Sequence, residues 1–401
     1  MIRPAIAMLA ACLIAAGPAR AQFPNNTVKV GVLTDLSGPF SDQVGKGSVT
    51  AAQMAAEDFM AEQKDLKAEI ISADHQNKPD IGVNIARQWA DQEGVAAIVD
   101  LPNSGVALAV ANVLKEKNRV LLASSTATSS FTGKACTPIG VQWVLDTWAL
   151  GHSTVDAIMS PAANTWFFLT VDYALGLSLE GDASEAVKAA GGKVLGAIRS
   201  PLGTADFSSP LLEAQASGAK VIALANTGTD VSNAVKQAAE FGVIRKGVQV
   251  AALFVQLSDI HALGLQVAQG LQLTAAFYWD LNDDTRAFSK RFGERMGGRM
   301  PTEDQAGVYA STLHYLRSVH AHPTMDGAAA VAAMRTTPLQ DKLFQSTEIR
   351  IDGRVIHPMY VFRVKTPEES KGPYDYYTLV HKVPAERAFR PLADGGCPLV
   401  K

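Results

Sequence analysis

Two hydroxyl side chains of this chain each follow a short apolar run, at places where they could bind an anion. Ser104 follows the run Ala96–Val99, and Thr128 follows the run Val120–Ala123. If the runs are parallel strands, both hydroxyls lie beside a helix start, where free backbone N–H groups and the positive end of the helix attract anions. The pattern therefore predicts a site that donates hydrogen bonds to an anion. Capping of the helix that begins near Gly105 is the alternative role for Ser104.

The elements that would position these hydroxyls are short apolar runs that alternate with amphipathic stretches. Eight runs are predicted to be strands: Val28–Leu33, Ala68–Ile71, Ala96–Val99, Val120–Ala123, Trp166–Val171, Lys193–Ile198, Val221–Ala225 and Val248–Phe254. The stretches between them are predicted to be helices: Gly47–Met60, Ile81–Gln92, Val106–Lys117, Ser178–Ala190, Ser208–Ser217 and Val231–Phe241. Apolar strands separated by helices are typical of βαβ units in a parallel sheet buried on both faces. Because the pattern starts again after Cys136, the sequence predicts two α/β lobes.

The last third of the chain has a different pattern. Leu271–Phe277 is predicted to be a strand, and Arg286–Met296 and Gly307–Val319 are predicted to be helices. Short strands are predicted late in the chain, at Ser346–Ile351, Pro358–Val364 and Tyr377–Val383. Such a mixture is expected when a chain crosses back between two lobes and completes both of them.

The composition is that of a globular protein and argues against a nucleic-acid partner. The 401 residues are 47% hydrophobic and 19% charged, with a formal net charge of −3. Binding to phosphates needs clustered Lys and Arg, whereas the densest basic stretch, residues 290–299, is interrupted by Glu294 and glycines. No stretch has the spacing of a P-loop, a nucleophile elbow, a calcium loop or a metalloprotease. The sequence therefore predicts no catalytic residue, no metal site and no cofactor.

The first 21 residues predict export from the cytoplasm. One basic residue, Arg3, precedes an apolar stretch from Ala5 to Ala16, and Ala19-Arg20-Ala21 supplies the small residues that a signal peptidase requires. We expect cleavage after Ala21 and a soluble protein in the periplasm. A lipoprotein cleavage box ending at Cys12 is the alternative interpretation of this segment.

Removal of that segment would leave two cysteines, Cys136 and Cys397. In an oxidising compartment, an even pair predicts a disulfide, which would tie the C-terminal tail to the body of the protein. Closing a long loop in this way contributes about 4–5 kcal/mol in the chain-entropy model. Metal binding is the weaker alternative, because two isolated cysteines lack the close spacing of a zinc site.

The mature chain resembles the periplasmic substrate-binding proteins of the branched-chain amino acid class of ABC transporters. The resemblance extends from Val28 to the C-terminus and rests on the order and spacing of several stretches rather than on any one of them. These stretches are Val30–Leu33, Leu36–Ser41, Asp74, Asn103–Ala107, Ser124–Thr128, Asp172–Gly176 and Asp206–Ser208. Residues Tyr278–Asn282 and the Cys136/Cys397 pair are most similar to the branch that handles aromatic and other non-amino-acid carboxylates.

The resemblance implies an α/β fold of two Rossmann-like lobes with parallel central sheets, joined by three crossovers, that closes over a ligand. It implies lobe 1 at residues 22–142 and 276–354, and lobe 2 at residues 143–275 and 355–401, the last range including the C-terminal tail. It also assigns a set of ligand-binding candidates: Phe40, Ser41, Ser104, Thr126, Thr128, Tyr173, Phe254 and Trp279. Thr126 would act through its backbone, and Tyr173 would lie over the ligand. Ordinary packing is the alternative role for the aromatic residues.

One departure from the family pattern bears on the ligand. Amino-acid-binding members pair the ligand's ammonium group with an acid of the second lobe, but the corresponding stretch here, Ala251–Gln256, contains none. An ammonium buried without a counter-charge costs several kcal/mol. The sequence therefore favours an aromatic or aliphatic carboxylate, although Asp42 or Asp259 could still serve an amine.

We expect a monomeric, non-enzymatic receptor that delivers this small carboxylate to an inner-membrane ABC permease. The alternative functions are a ligand-binding partner of a membrane sensor or chemoreceptor, and a secreted α/β hydrolase. The sequence offers no nucleophile–base pair that would support the hydrolase.

Overall fold

The first half of the fold is a five-stranded parallel sheet with helices on both faces. The computed structural model describes residues 23–243 and 247–401, so the predicted signal segment and its cleavage site lie outside the described residues. The sheet contains β1 (Thr27–Thr34), β2 (Lys67–Asp74), β3 (Ala97–Asp100), β4 (Val120–Ala123) and β5 (Gly140–Gln142), in the order β2-β1-β3-β4-β5. The helices between its strands are α1 (Gly45–Glu62), α2 (Pro79–Asp91) and α3 (Ser104–Lys117). We call this sheet and the helices on it lobe 1.

A second parallel sheet follows in lobe 2. Its strands are β6 (Thr165–Val171), β7 (Lys193–Ser200), β8 (Val221–Ala225) and β9 (Gln249–Ala252), in the order β7-β6-β8-β9. The helices of this stretch are α4 (Thr147–Ile158), α5 (Ala174–Ala189), α6 (Ser208–Ala216), α7 (Thr229–Glu240), α8 (Leu257–Leu263) and α9 (Leu265–Ala268). Every residue of β3, β4 and β8 is buried, as expected for strands covered by helices on both faces.

The remaining chain contributes to both lobes. After β10 (Gln272–Ala275) come three helices, α10 (Asp283–Arg295), α11 (Glu303–Ala321) and α12 (Gly327–Thr336). Helix α11 packs against α1, and α12 lies against β4. The last elements are β11 (Glu348–Ile349), β12 (Val355–Ile356), β13 (Met359–Val364), β14 (Tyr377–Val383) and α13 (Ala385–Ala388). Strands β10, β13 and β14 form an antiparallel sheet beside β9, while β11 pairs with β12.

The predicted fold class is confirmed: two α/β lobes with parallel central sheets are joined by three crossovers of the chain. Most predicted strands and helices occur within a few residues of their expected bounds, but α4 and α12 had not been predicted. The largest apolar cluster runs from Val28 in lobe 1 through Trp143 to Phe168 in lobe 2. The crossovers are therefore part of the core rather than exposed linkers.

Buried polar side chains fasten two of the crossovers to each other. The Arg354 guanidinium is fully buried and donates to the carbonyl oxygen of Leu145 at 3.0 Å. His357 lies 3.0 Å from the carbonyl oxygen of Trp143. Because Trp143 and Leu145 lead from β5 to α4, these bonds hold the first crossover against the third.

The predicted disulfide between Cys136 and Cys397 is present, with their Cα atoms 5.5 Å apart. Beside it, Arg390 donates from Nη2 to the carbonyl oxygen of Ser129 at 3.0 Å. The end of the chain therefore lies against lobe 1, close to the segment that follows Thr128. Within residues 23–243 and 247–401, no helix combines the length and the hydropathy needed to cross a membrane.

Candidate ligand-binding cleft

The lobe 1 side of the cleft is built at the start of α3. Asn103, not Ser104, caps this helix: its Oδ1 accepts from the N–H groups of Gly105 at 3.0 Å and Val106 at 3.1 Å. The capping interpretation of Ser104 is therefore wrong. Ser104 is fully buried, and its Oγ accepts from the backbone N–H of Thr128 at 3.3 Å. The predicted pair of hydroxyl residues thus lies together, and the Ser104 hydroxyl keeps a proton to donate.

Thr126 and Thr128 have different partners, although only Ala127 separates them. The Thr126 hydroxyl donates to the carbonyl oxygen of Leu101 at 2.7 Å, so it is used within lobe 1. The Oγ1 of Thr128 lies 2.8 Å from the Oγ of Ser178 on α5 of lobe 2. Since this hydrogen bond joins the two lobes directly, the structure represents a closed arrangement.

Phe40 of lobe 1 also contacts lobe 2, in the cleft between the two lobes. The loop around it is shaped by Asp35, whose carboxylate accepts from the N–H groups of Gly38 at 2.6 Å and Phe40 at 2.9 Å. On lobe 2, Gly228 has a φ of +64°, and a Cβ there would lie 3.0 Å from the Phe40 ring and 2.6 Å from the Pro39 carbonyl oxygen. Glycine at this position therefore permits the close approach of the two lobes.

Ser41, the next candidate, lies nearer the mouth of the gap. It lines a cavity of about 590 Å³ that has walls from both lobes. Lys46 and Thr302 lie on the lobe 1 side of this cavity, while Ser258 and His261 belong to lobe 2. Ser41 is thus placed between the lobes, beside rather than among the hydroxyls of Ser104 and Thr128.

At the strand ends of lobe 2, Tyr173 and Asn226 each have a buried polar atom without a partner among the described residues. Tyr173, which precedes α5, has no hydrogen-bond partner for its phenol oxygen among the described residues. Burial, and then the nearby Asp230 carboxylate, raises the pKa of the Tyr173 phenol above its ordinary value, so the group is neutral. Asn226, directly after β8, is 1% exposed and likewise has an Oδ1 without a partner within the described chain. Leaving such an atom unpaired costs about 1–3 kcal/mol.

Sequence reasoning missed Asn226. The signal that would have found it is the one that identified Ser104 and Thr128: a polar side chain after an apolar run, here Val221–Ala225. Phe254 follows β9 on the neighbouring strand and is 4% exposed, so it supplies apolar surface in the core of lobe 2 and at the end of its sheet.

Trp279 is not brought together with these residues. Its indole N–H donates to the carbonyl oxygen of Tyr374 at 2.7 Å. It lines a separate groove of about 480 Å³ on α10, with Arg286, Lys290 and Met300. None of the other predicted site residues lines that groove.

A second polar contact between the lobes lies beside the crossovers, and we call it the glutamine–carboxyl latch. Gln43 of lobe 1 donates from Nε2 to Asp259 Oδ2 at 2.8 Å and to Thr227 Oγ1 at 3.0 Å. Gln256 of lobe 2 donates from Nε2 to Asp304 Oδ2 at 2.6 Å. The latch therefore consists of two glutamines, each of which reaches a carboxyl group on the opposite lobe.

Burial controls the charge of the latch. It raises the pKa of Asp259 to about 7, although hydrogen bonds from the Gln256 backbone and the Gln43 amide oppose the shift. The neighbouring Glu303, which accepts from the Ala276 N–H at 2.7 Å, has its pKa raised to about 8 by burial. Burial and the adjacent Glu303 also raise the pKa of Asp304. Burial of these groups thus favours their neutral forms.

The two acids that could have served an amine are both occupied. Asp259 is held in the latch, and Asp42 is an exposed residue that pairs with Arg299 at 3.2 Å. Within residues 23–243 and 247–401, no group of three or more His, Cys, Asp or Glu side chains is arranged to hold a metal ion. What the cleft offers is hydroxyl and amide groups beside apolar side chains, an arrangement suited to binding a small anion.

Comparison with known proteins agrees with this geometry. The family model described as "periplasmic binding protein" matches residues 27–373. The crystal structure of a periplasmic binding protein from Burkholderia mallei is 41% identical, covers 94% of this chain and 100% of its own, and superposes with a TM-score of 0.90. A branched-chain amino acid ABC transporter periplasmic ligand-binding protein from Burkholderia xenovorans is 38% identical, with coverage of 93% and 100% and a TM-score of 0.82.

Less similar proteins extend the comparison. A Leu/Ile/Val-binding protein homolog from Brucella abortus is 28% identical over 71% of this chain and 72% of its own length. A solute-binding protein of an ABC transporter from Rhodopseudomonas palustris, solved with 4-hydroxybenzoate, is 20% identical with a TM-score of 0.79, and covers 90% of this chain and 98% of its own. At that identity the likeness concerns the fold alone.

Proposed function

Because this chain belongs to the periplasmic binding protein family, we propose that it captures a small carboxylate between its lobes and delivers it to the permease of an ABC importer. Proteins of this family are non-enzymatic substrate-binding components of ABC transporters, and they act in the periplasm. The observation that carries the proposal is the Ser104–Thr128 pair, which joins two strand ends of lobe 1 and meets Ser178 of lobe 2 directly.

The carboxylate accepts from the hydroxyls of Ser104 and Thr128 and from the backbone N–H of Thr126, because Asn103 already occupies the N–H groups of Gly105 and Val106. A hydrogen bond to a charged group contributes about 1.5–3 kcal/mol. Three or four such bonds, less the cost of closing the lobes, support binding near micromolar, or about −8 kcal/mol. Closure then presents both lobes to the permease at a fixed spacing, which is how such a receptor signals that it is loaded.

The ligand class we propose is a carboxylic acid with an aromatic or aliphatic body. Three features support it: Phe254 ends β9 where an acid would serve an ammonium, Asp259 is held in the latch, and Asp42 pairs with Arg299 at the surface. The 4-hydroxybenzoate complex of the R. palustris protein shows that the same fold accommodates such a ligand. The names of the other relatives point to branched-chain amino acids, which are the alternative.

The hydroxyl pair is tested by changing Ser104→Ala and Thr128→Ala together and measuring binding by calorimetry. We expect the affinity for the carboxylate to fall at least tenfold, because two donors to the anion are removed. Ser208→Ala is the matched control, since Ser208 also begins a helix but has an exposed hydroxyl that bonds only to Asp206. An unchanged affinity in the double variant would contradict the proposal.

The ligand class is tested by a thermal-shift screen of benzoate, hydroxybenzoates, straight-chain acids, leucine and valine. We expect acids without an amino group to stabilise the protein more than leucine or valine do. A clear preference for leucine would refute this part of the proposal while leaving the transport role intact.

We further propose that the mature protein begins at Gln22, after removal of the first 21 residues, and that it is a monomer. N-terminal sequencing of the exported protein checks the first point, because a lipoprotein would begin at Cys12. Light scattering of the purified protein checks the second.

A further inference from the structure

Two of the buried polar atoms of lobe 2 that lack a partner in the described chain belong to residues that follow the same end of neighbouring strands. Tyr173 lies two residues after β6, and Asn226 lies directly after β8. These strands are paired in parallel with Thr170 opposite Ala225, so the segments that follow them leave the sheet side by side. The phenol oxygen of Tyr173 and the Oδ1 of Asn226 are both buried without a hydrogen-bond partner in the described chain.

Residues next to these two contact lobe 1 directly. Thr227, beside Asn226, accepts from Gln43 at 3.0 Å, and Gly228 lies against Phe40. Tyr173 immediately precedes α5, and Ser178 on that helix forms a hydrogen bond with the Oγ1 of Thr128. Asn226 and Tyr173 are therefore flanked by the contacts that close the cleft, on the side opposite the Ser104–Thr128 pair.

We propose that Asn226, together with Tyr173, binds a hydroxyl group at the end of the ligand remote from its carboxylate. The amide oxygen of Asn226 can only accept a hydrogen bond, whereas a phenol can donate one and accept another. A single hydroxyl satisfies both, because it donates to Asn226 Oδ1 while it accepts from the Tyr173 O–H. A ligand without such a group leaves both atoms unpaired, and that costs binding free energy.

Other polar groups fit these two atoms less well. A second carboxylate would be repelled by the amide oxygen of Asn226. An ammonium would leave the phenol proton of Tyr173 unused and would need a carboxylate nearby. Asp230, the carboxylate that acts on the Tyr173 phenol, is directed at the N–H of Gly203, which lies 3.1 Å and 3.2 Å from its two oxygens. The inference therefore rests on the proposed function and narrows its ligand to a hydroxy-substituted carboxylic acid.

Two ligand pairs that differ by one hydroxyl test this inference: benzoate against 4-hydroxybenzoate, and hexanoate against 6-hydroxyhexanoate. Calorimetry is performed on the wild-type protein, on Asn226→Leu and on Tyr173→Phe. We expect the wild-type protein to bind the hydroxy acid of at least one pair tenfold or more tightly than its partner. Each variant should lose most of that preference, because the hydroxyl loses its partner and the acid without a hydroxyl no longer leaves a buried polar atom unpaired. Thermal unfolding of each variant verifies that it folds, and Tyr173→Phe removes a single oxygen atom.

The outcomes separate the inference from the proposed function. If the acids bind but the hydroxyl makes no difference, or if both variants keep the full preference, the role of Asn226 is overturned and the receptor function stands. If no acid of either pair binds and the Ser104→Ala/Thr128→Ala variant shows no defect with any ligand of the wider screen, the proposed function fails as well.

Discussion

The two faces of the cleft differ in how their polar groups are satisfied. On lobe 1, Asn103 caps α3, Thr126 bonds to Leu101, and Ser104 accepts from the N–H of Thr128. On lobe 2, the Tyr173 side chain precedes α5 without capping it, and its phenol oxygen has no partner among the described residues. The hydroxyls of Ser104 and Thr126 are thus held by lobe 1 itself, although the Ser124 hydroxyl after β4 lacks a partner in the described chain, whereas Tyr173 and Asn226 of lobe 2 each have an unpartnered atom.

This difference suggests a division of labour between the lobes. A group held in place before binding loses little conformational freedom when the ligand arrives, so the lobe 1 face favours affinity for the carboxylate that all ligands share. An unpaired buried acceptor penalises ligands that lack a matching donor, so the lobe 2 face favours discrimination. Variants of lobe 1 should therefore lower stability and affinity together, and variants of lobe 2 should alter selectivity alone.

The largest expected effect comes from loosening the lobe 1 scaffold. Replacing the disulfide by Cys136→Ser and Cys397→Ser should lower the free energy of unfolding by about 2–5 kcal/mol, because the unfolded chain regains the freedom of a long loop. Ligand affinity should fall too, since the bridge lies in the segment that follows Thr128. Denaturant unfolding and calorimetry measure the two effects.

The control for this variant is the wild-type protein, whose intact mass after alkylation should show no free thiol until a reductant is added. Equal unfolding midpoints with and without reductant would show that the scaffold of lobe 1 does not depend on the bridge.

A smaller effect on the free energy of unfolding should come from the glutamine–carboxyl latch, where the two lobes are in contact. The pKa values of Asp259 and Glu303 are raised to about 7 and about 8, so the folded protein holds their protons more tightly than the unfolded chain does. Their contribution to stability is present in full below about pH 4 and is lost as the pH rises through 7 to 8. We expect the free energy of unfolding to fall between about pH 5 and 8, by the order of 1 kcal/mol per group and pH unit, and to level off above pH 8.

Between pH 6.5 and 8, the pH dependence of stability reports these two carboxyl groups without a contribution from the buried histidines. Burial lowers the pKa values of His75, His314 and His357 to about 4, and these residues destabilise the protein only as the pH falls below about 6.5. Denaturant unfolding of Glu303→Gln and Asp259→Asn should give flatter profiles of stability against pH between pH 6.5 and 8. Profiles parallel to the wild type would mean that the latch does not titrate there.

The smallest effect on the free energy of unfolding should come from single side chains at the starts of α3 and α5. Asn103→Ala removes an acceptor for two N–H groups and should lower the free energy of unfolding by about 1 kcal/mol. Tyr173→Phe should not lower it, because the lost oxygen has no partner within the described residues. If thermal or denaturant unfolding shows that both variants lose the same free energy of unfolding, the two faces of the cleft do not differ in how their polar groups are satisfied.

Much of the fold could be predicted because its strands are uninterrupted apolar runs. The bounds of β4, β8 and β14 match the predicted runs Val120–Ala123, Val221–Ala225 and Tyr377–Val383. Helix α12 was missed because its alanine-rich sequence, Gly327–Thr336, carries only a weak apolar stripe. The predicted disulfide was confirmed, since few alternatives exist for two cysteines in an exported chain.

The candidate site was harder to predict, because it depends on contacts between distant parts of the chain. That Ser104 and Thr128 lie together follows from the order of β3 and β4, which neighbouring apolar runs already suggest. The bond between Gln43 and Asp259 joins residues 216 positions apart, and no local pattern indicates it. Trp279 looked like a strand-end residue of the cleft, but a bond to Tyr374 holds it in a groove on α10.

The link between Cys136 and Cys397 has a consequence for proteolysis. These residues are 261 positions apart, and all the strands of lobe 2 lie between them. A protease that cuts one exposed loop in this interval, such as the one around Gly203, would leave two fragments still joined by sulfur. The nicked molecule would migrate as one band on a denaturing gel until the sample is reduced, and the fragments would not separate in the periplasm.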